Sequence, residues 1–214
     1  MPRGNLYIVS APSGAGKTSL TRALIPKLTE LGINAAISVS YTTRAPRPGE
    51  QQGVHYHFVS EAEFVALIAR DEFFEHADVF GRRYGTGRKK TEELLASGTQ
   101  VILDIDWQGG RQVRQKLPSA RSIFILPPSL AELERRLRSR GQDKDEVIAA
   151  RMQQAQAEIS HCREFDILLV NQDFDHALAE LVGIFTGATP ARPATEPQLQ
   201  ALIEQLLAKQ GSIR

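Results

Sequence analysis

The sequence has a single cysteine, Cys162, among its 214 residues. One cysteine can form neither an internal disulfide nor a zinc site built from several thiolates, so both are excluded. No apolar run approaches the roughly 20 residues that a membrane-spanning helix needs. Residues 1–4 lead directly into an apolar stretch without the core of a signal peptide. The sequence therefore predicts a cytoplasmic protein in a reducing compartment, with no membrane partner.

An excess of charge of either sign is also missing. The 26 Lys and Arg residues are balanced by 25 Asp and Glu residues, which leaves a formal net charge of +1. Such a balance provides no general attraction to nucleic acid, so we expect no nucleic-acid partner. Hydrophobic residues make up 42% of the chain, which argues against disorder and is enough for a substantial core at this length.

Apolar runs alternate with helical patterns along most of the chain. The runs predict strands over 6–9, 35–40, 101–106, 122–126 and 167–170. Apolar residues at spacings of three and four predict helices from Thr18 to about Gly32 and over 129–140, 144–164 and 173–186. This alternation is typical of a parallel sheet covered by helices on both faces, which predicts an α/β fold.

Two segments depart from that alternation. Residues from about 37 to 90 are rich in Arg, Tyr and Gly and contain short alternating pieces, which predicts an inserted small β/α subdomain. Residues 188–198 are rich in proline and are predicted to be a linker. Beyond them, apolar residues at helical spacing predict an amphipathic helix over 199–214. Packing on its own domain, packing on a second subunit and a frayed tail are all open for this helix, as are a monomer and a homo-oligomer.

The segment between the first predicted strand and the first predicted helix has the pattern of a phosphate-binding loop. It consists of Ala11, Pro12, Ser13, Gly14, Ala15, Gly16, Lys17 and Thr18. The segment matches the Walker A pattern at every position except the first, where Ala11 replaces glycine. In such loops the backbone N–H groups and a helix N-terminus surround a phosphate, the lysine contacts the β- and γ-phosphates, and the hydroxyl ligates Mg²⁺. The loop predicts that the protein binds a nucleoside triphosphate with Mg²⁺.

Asp104 and Asp106 end the apolar run that begins at Val101. Carboxylates at the carboxyl end of a parallel strand lie at the crevice where ligands bind in this class of sheet. On a continuous strand the two side chains share one face, because the period is two residues. One can hold a water of Mg²⁺ and the other a substrate group. The alternative is two aspartates that only cap the strand end.

The motifs together resemble the guanylate kinase family over about residues 4–187. The matching pieces are SAPSGAGK at 10–17, SVSYTTR at 38–44, RPGE at 47–50, FEHA at 74–77, YGT at 84–86, LDIDWQG at 103–109, RL at 136–137, RG at 140–141 and VN at 170–171. The resemblance implies a P-loop NTPase core over 4–36 and 98–187, an inserted GMP-binding subdomain over about 37–90 and a helical lid over about 129–150. It also implies the transfer of the γ-phosphoryl group of ATP to GMP, in purine nucleotide metabolism.

The resemblance assigns a GMP site with two parts. Four residues resemble the family's clamp on the GMP phosphate: Arg44, Arg47, Tyr56 and Tyr84. For the base, Glu75 can accept both N–H groups of the guanine edge, which adenine does not offer. Ser40 and Thr86 are suited to donate to O6, and Asp106 can add a further acceptor.

The resemblance also assigns residues around the triphosphate. Arg136, Arg140 and Arg151 resemble the family's lid arginines, which stabilise charge on the transferred group together with Lys17. Asn171 ends the last predicted strand near the place where the family binds adenine, and its side chain can hydrogen-bond to that base.

Two other functions stay open at this stage. A related small-molecule kinase such as ribose bisphosphate phosphokinase would lack the guanine-reading residues. A non-catalytic guanylate-kinase-like module that binds protein partners usually has a degraded phosphate loop and lid, whereas Lys17 and Thr18 are both present here.

Overall fold

A computed structural model describes residues 2–79, 81–139, 144–190, 192 and 195–208. The chain divides into two compact units. The first unit comprises the residues up to Ile8 and Leu28–Arg121. The second comprises Val9–Lys27 and the chain from Ser122 onward.

Helices and strands alternate through both units. In chain order the elements are β1 (Leu6–Ser10), α1 (Lys17–Glu30), β2 (Ala35–Ile37), β3 (Tyr41–Thr42), β4 (His57–Phe58), α2 (Glu61–Ala69), β5 (Phe73–Val79), β6 (Arg82–Gly87), α3 (Arg88–Ala96), β7 (Gln100–Asp104), α4 (Trp107–Lys116), β8 (Arg121–Leu126), α5 (Leu130–Ser139), α6 (Asp145–Ile159), β9 (Ile167–Val170), α7 (Phe174–Thr186) and α8 (Pro197–Leu207).

The larger sheet has the strand order β2-β7-β1-β8-β9. β2 runs parallel to β7, with Ala35 opposite Gln100, and β8 runs parallel to β9, with Ile123 opposite Ile167. Every residue of β1 is buried, as are five of the six residues of β8. Strands that are apolar along their whole length need cover on both faces, which the helices supply. The predicted α/β fold with a parallel sheet flanked by helices is therefore confirmed.

A smaller sheet lies within the first unit, with the strand order β4-β3-β6-β5. β5 and β6 form an antiparallel pair whose register shifts between Phe73 and Glu75. Phe73 lies opposite Gly87, but Glu75 lies opposite Thr86, so Phe74 is one extra residue on β5. Such a bulge changes the direction in which the following side chains point. It is the reason why Glu75 faces Thr86 rather than Gly85.

Several predicted elements have different bounds in the structure. The strand predicted over 101–106 ends at Asp104, because Asp106 is the N-cap of α4 and accepts a hydrogen bond from Gly109 N at 2.9 Å. The sequence had suggested that Asp104 and Asp106 share one face of a continuous strand. This prediction is wrong, because the strand ends before Asp106. The helix predicted over 144–164 ends at Ile159 and is followed by a 3₁₀ turn at Cys162–Glu164. α3 and α4 were not predicted.

The C-terminal amphipathic helix, α8, packs within its own chain. Leu199, Ile203 and Leu206 are buried, and Gln156 of α6 donates from Nε2 to the Leu206 carbonyl at 3.1 Å. The stretch before it is also in contact with its unit, since Leu168 N of β9 donates to the Arg192 carbonyl at 2.9 Å. Of the three possibilities left open for this helix, packing on its own domain is the one observed.

The lone cysteine is part of the interior. Cys162 is fully buried, and burial raises the pKa of its thiol to about 11. The side chain therefore stays a neutral thiol near neutral pH and is unsuited to be a nucleophile. Within the described part of the chain, no helix is both long enough and apolar enough to cross a membrane.

Candidate active site

The phosphate loop connects β1 to α1 in the second unit. Gly14 and Gly16 have φ angles of +93° and +94°, a backbone region that residues with a Cβ rarely adopt. α1 begins at Lys17, so the positive end of its dipole lies at the loop. Thr18 is exposed on the first turn of the same helix. Positive φ angles at two glycines and a helix N-terminus are features that a phosphate-binding loop needs, and anion binding by this loop stays a prediction.

Two helices pack directly on this loop. A Cβ atom placed on Gly14 would come within 3.0 Å of methyl groups of Leu133 and Leu137, which belong to α5. Ala15 is buried in a cluster with Leu133 and with Ala155 of α6, against which Ala11 also packs. The alanine that replaces the first glycine of the motif thus contributes an apolar contact, and it faces the interior of this unit.

The predicted lid arginines have different environments. Arg136 donates from Nε to Glu132 Oε1 at 2.7 Å and from Nη2 to the Asn171 carbonyl at 3.0 Å. Hydrogen bonds from Arg135 and then from Arg136 lower the pKa of the Glu132 carboxyl to about 2. Arg151 is partly buried on α6, one turn before Ala155, which packs on the loop. Arg140 lies outside the described residues.

Asn171 follows β9 and is only 4% exposed. Its Nδ2 donates to the Ala15 carbonyl at 2.7 Å, and its Oδ1 is buried without a hydrogen-bond partner. The carboxamide thus donates to the backbone of the phosphate loop. The adenine contact suggested for Asn171 stays a prediction.

Glu158 is a second residue at the loop, and the sequence reasoning missed it. Its Oε2 accepts a hydrogen bond from Ser13 N at 3.1 Å. No local pattern marks this residue, because a glutamate in a helix such as α6 has the appearance of an ordinary solvated side chain. Only the packing of α6 on the loop reveals the contact.

Glu75 is the most unusual side chain of the first unit. It lies on β5, is 3% exposed, and accepts a hydrogen bond from Thr86 Oγ1 at 2.7 Å. Burial raises the pKa of its carboxyl to about 7, and the negative charge of Asp106 adds to this effect. A buried acid with a raised pKa is a candidate for ligand binding, because its ionised form has lost much of its hydration.

The first turn of α4 provides room for that carboxylate. A Cβ atom placed on Gly109 would lie 2.5 Å from Glu75 Oε2 and 3.4 Å from Asp106 Oδ1. Only glycine at this position lets the carboxylate lie against the helix. Its approach to the N-terminal end of a helix is electrostatically favourable for a negative charge.

The predicted phosphate clamp is partly assembled on the same sheet. The Arg44 guanidinium lies 5.3 Å from the centre of the Tyr56 ring. Hydrogen bonds to Glu50 and to Tyr84 raise the pKa of Arg44, the bond to Glu50 being the stronger cause. Glu50, to which the sequence reasoning gave no role, accepts from Arg44 Nη2 at 2.8 Å and from Arg47 N at 2.7 Å. A phosphate would have to compete with this carboxylate for Arg44.

The two halves of the predicted GMP site share one face of the small sheet. Tyr84 and Thr86 are two residues apart on β6, and Glu75 lies directly opposite Thr86. Two residues along a strand span roughly 7 Å, so Tyr84 of the predicted clamp is a neighbour of the predicted guanine-reading pair on that face.

The other predicted GMP residues are distributed over the first unit. Ser40 lies just before β3, and its carbonyl accepts a hydrogen bond from His57 N at 2.8 Å. The side chain of Arg47 is exposed, and Asp104 ends β7 partly buried. The structure brings Arg44, Tyr56 and Tyr84 together, and the roles of Ser40, Arg47 and Asp104 stay predictions.

Comparison with known proteins gives a consistent result. A family model described as guanylate kinase matches residues 3–187. The chain is 57% identical over 208 residues to the guanylate kinases of Salmonella choleraesuis (strain SC-B67) and Escherichia coli (strain K12), which covers 97% of this chain and 100% of each relative. The crystal structure of guanylate kinase from Anaplasma phagocytophilum matches with a TM-score of 0.72 and 33% identity, covering 95% of both chains.

Proposed function

This chain belongs to the guanylate kinase family, and from that premise we propose that it transfers the γ-phosphoryl group of ATP to GMP, giving ADP and GDP. A bond forms between a phosphate oxygen of GMP and the γ-phosphorus, while the bond from that phosphorus to the bridging oxygen breaks and the oxygen leaves with ADP. The attacking oxygen is already anionic, so the protein needs no strong general base. Its task is to position the two nucleotides and to neutralise their charge.

The observation that carries the choice of acceptor is the buried carboxylate of Glu75. Guanine offers donors at N1 and N2, whereas adenine has an acceptor at N1, which would face a carboxylate lone pair. Glu75 is 3% exposed and Thr86 donates to one of its oxygens, which leaves capacity to accept two N–H groups. A site that pairs the N–H groups of its substrate can reject a mismatched analogue by roughly 10⁴-fold or more.

Thr86 must change partner when guanine binds in the way the sequence suggested. Its single hydroxyl proton is used on Glu75 Oε1 in this structure. Donation to guanine O6 requires that proton to leave Glu75, at the moment when the base supplies N–H groups to the same carboxylate. The exchange keeps both groups hydrogen-bonded, which a buried polar pair requires.

The GMP phosphate fits the cluster around Arg44. This guanidinium, which lies 5.3 Å from the centre of the Tyr56 ring and 5.8 Å from that of the Phe58 ring, presents planar donors suited to a phosphate dianion. Tyr56 and Tyr84 complete the proposed clamp with their hydroxyls, and the exposed Arg47 adds charge. Before phosphate binds, Arg44 Nη2 donates a hydrogen bond to Glu50 Oε1 at 2.8 Å.

Lys17 and the lid arginines are assigned to the triphosphate. We assign charge neutralisation on the transferred group to Lys17, Arg136, Arg140 and Arg151, and cradling of the phosphates to the backbone of the loop. The Arg136 guanidinium already lies at the strand end that supports the loop, through its hydrogen bond to the Asn171 carbonyl.

Mg²⁺ fits this arrangement as an ion that arrives with the nucleotide. Among the residues that the structure describes, no cluster of three or more His, Cys, Asp or Glu side chains could hold a metal by itself. Mg²⁺ commonly keeps several waters and binds through one or two protein oxygens plus substrate phosphates. We assign one such ligand to the Thr18 hydroxyl on the first turn of α1, where the ion would neutralise phosphate charge.

A coupled assay of ADP release tests the proposal. GMP, AMP, UMP and sugar phosphates are compared as acceptors at one ATP concentration. We expect kcat/KM for GMP to exceed that for AMP by at least about 10⁴-fold. A ribose bisphosphate phosphokinase would prefer the sugar phosphate, and an interaction module would release no ADP with any acceptor.

Lys17→Ala tests the catalytic half separately. Removal of the ammonium leaves the charge of the phosphates uncompensated, so we expect turnover to fall by at least about 10²-fold. The matched control is Lys27→Ala in the last turn of the same helix, for which turnover should stay within about twofold. Full activity in Lys17→Ala would contradict the assignment of this loop to the triphosphate.

A further inference from the structure

Two side chains outside the phosphate-loop motif form hydrogen bonds to the backbone of the loop. Glu158 Oε2 accepts from Ser13 N at 3.1 Å, and Asn171 Nδ2 donates to the Ala15 carbonyl at 2.7 Å. These contacts join positions that are 145 and 156 residues apart in the chain. Because they engage peptide groups of the loop, they bear on the direction in which its N–H groups point.

The contact of Asn171 orients the peptide between Ala15 and Gly16. The described chain contains no cis peptide bond, so the carbonyl and the N–H of this peptide point in opposite directions. With the Ala15 carbonyl held against Asn171, the Gly16 N–H points away from Asn171. Rotation of this peptide by half a turn would place the carbonyl oxygen where the N–H now lies, and a carbonyl repels phosphate.

The contact of Glu158 orients a second peptide, between Pro12 and Ser13. Its N–H donates to Glu158, and its carbonyl accepts from Ala15 N at 3.1 Å. This peptide is therefore held at both ends. The N–H groups of Ser13 and Ala15 already donate hydrogen bonds within the protein. An anion therefore has to be bound by other N–H groups of the loop, and the Gly16 N–H is one of these.

The surroundings of Asn171 show that the Nδ2 donor of its carboxamide is the group in contact with the loop. The side chain is buried, and a Cβ atom on Gly16 would lie only 2.4 Å from Nδ2, so the amide is in direct contact with the loop backbone. Oδ1 is buried without a hydrogen-bond partner, and burial of an unpaired polar atom lowers the stability of the fold. An apolar side chain at this position would avoid that loss. The backbone carbonyl of the same residue holds Arg136.

We propose that Asn171 and Glu158 are positioning residues that set the peptide orientations of the phosphate loop, so that the Gly16 N–H is presented to a bound polyphosphate. The proposal rests on the function proposed above for this loop. It gives Asn171 a task that is independent of the base of the nucleotide, which differs from the adenine contact that the sequence suggested.

Inorganic tripolyphosphate separates the two tasks of Asn171, because it has no base. Asn171→Asp has nearly the same shape but places an oxygen against the Ala15 carbonyl. Titration calorimetry with ATP and with tripolyphosphate should show that both bind about tenfold or more weakly, by the same factor. Loss of ATP affinity with unchanged tripolyphosphate affinity would assign Asn171 to the base and overturn the proposal.

Two substitutions of Glu158 provide a second, independent arm of the binding experiment. Glu158→Gln keeps an oxygen that can accept from Ser13 N, whereas Glu158→Ala does not. We expect tripolyphosphate affinity within about threefold of wild type for Gln and about tenfold weaker for Ala, with GMP affinity unchanged in both. Equal affinities in the Gln and Ala variants would overturn this arm. An effect confined to the thermal midpoint would show a merely structural role.

The proposed function is checked separately, by ADP release from ATP and GMP in the wild-type protein. Turnover in wild type together with unchanged tripolyphosphate binding in Asn171→Asp would leave the kinase assignment intact and overturn the positioning role alone.

Discussion

Glu75 is an acid whose ionisation is set by its surroundings. Burial, with the charge of Asp106, raises its pKa from 4.5 to about 7 in the unliganded protein. The guanine recognition proposed for Glu75 requires the carboxylate, because a protonated carboxyl offers a donor where N1–H and N2–H need acceptors. On that proposal, the free protein is competent to bind GMP only in the fraction of molecules in which Glu75 is ionised.

The apparent KM for GMP is accordingly expected to rise on acidification. With a pKa of about 7, it should increase about fivefold between pH 7 and pH 6 from this residue alone. GMP itself takes up a proton near pH 6, so the control is Glu75→Gln, whose pH dependence should contain only the contribution of the phosphate. Identical KM profiles for wild type and Glu75→Gln would refute this prediction.

Acidification has the opposite effect on stability: protonation of Glu75 weakens the proposed GMP binding but stabilises the folded state. Because the folded state holds the proton of Glu75 more tightly than the unfolded chain, its contribution to stability is complete below about pH 4.5. That contribution is lost as the pH rises through about 7. The free energy of unfolding should therefore fall over this range relative to Glu75→Gln, which urea titrations at several pH values can measure.

Gly109 determines whether the Glu75 carboxylate fits. Alanine in place of a helical glycine normally stabilises a helix by about 1 kcal/mol. In Gly109→Ala the new methyl group would lie 2.5 Å from Glu75 Oε2, so the carboxylate must move. We expect kcat/KM for GMP to fall by at least about 10²-fold, since displacements near 1 Å are that costly at reacting sites.

The control for Gly109→Ala lies in the last turn of α4. Gln115 is exposed, and Gln115→Ala should keep kcat/KM for GMP within about threefold of wild type. If Gly109→Ala raised stability without any loss of GMP turnover, the space beside Glu75 would not matter for the substrate.

At the scale of elements, the position of Glu75 depends on how α4 holds the edge strand β5. Gln112 of α4 accepts from His76 N at 3.2 Å and donates from Nε2 to the His76 carbonyl at 2.8 Å. The side chain thus pairs with the backbone of β5 as a neighbouring strand would. It fixes the residue next to Glu75 relative to the helix that carries Asp106 and Gly109.

Gln112→Leu is expected to weaken both stability and GMP binding. Two hydrogen bonds are lost at a partly buried edge, so the free energy of unfolding should fall by about 1–3 kcal/mol in urea titrations. KM for GMP should rise because β5 is no longer held against α4. Gln112→Glu retains only the acceptor for His76 N and should be intermediate; a loss of stability with an unchanged KM would show that α4 does not position the strand for the substrate.

At the scale of the whole chain, α8 is part of the fold rather than an accessory. Leu199, Ile203 and Leu206 are buried, and Gln156 bonds to the end of the helix. Burying an aliphatic side chain contributes about 1.5–3 kcal/mol as an upper estimate. Removal of the chain after Gly187 should therefore lower the thermal midpoint by at least about 5 °C in circular dichroism.

A shorter truncation is the control for α8. Removal of residues 209–214 alone leaves every buried residue of α8 in place, so the midpoint should change by less than about 2 °C. Equal midpoints for the two truncations would mean that α8 adds nothing to stability. Sedimentation of the same two proteins reports whether either truncation changes the oligomeric state.

The family, its reaction and most of the regular elements can be predicted from the amino-acid sequence alone. The phosphate loop is a local motif, and the bounds of α5 and α7 differ from the predicted helices by only a residue, because helical periodicity is a local property. The identity of Glu75 as the acid suited to guanine also follows from residue chemistry and motif resemblance.

Which side chains come into contact could be learned only from the folded chain. The bulge at Phe74 places Glu75 opposite Thr86, and Gly109 opens space for its carboxylate from a distant segment. Glu158 and Asn171 reach the loop from 145 and 156 residues away. Such contacts depend on strand register and on helix packing, which are settled by the whole chain and leave no pattern in the residues nearby.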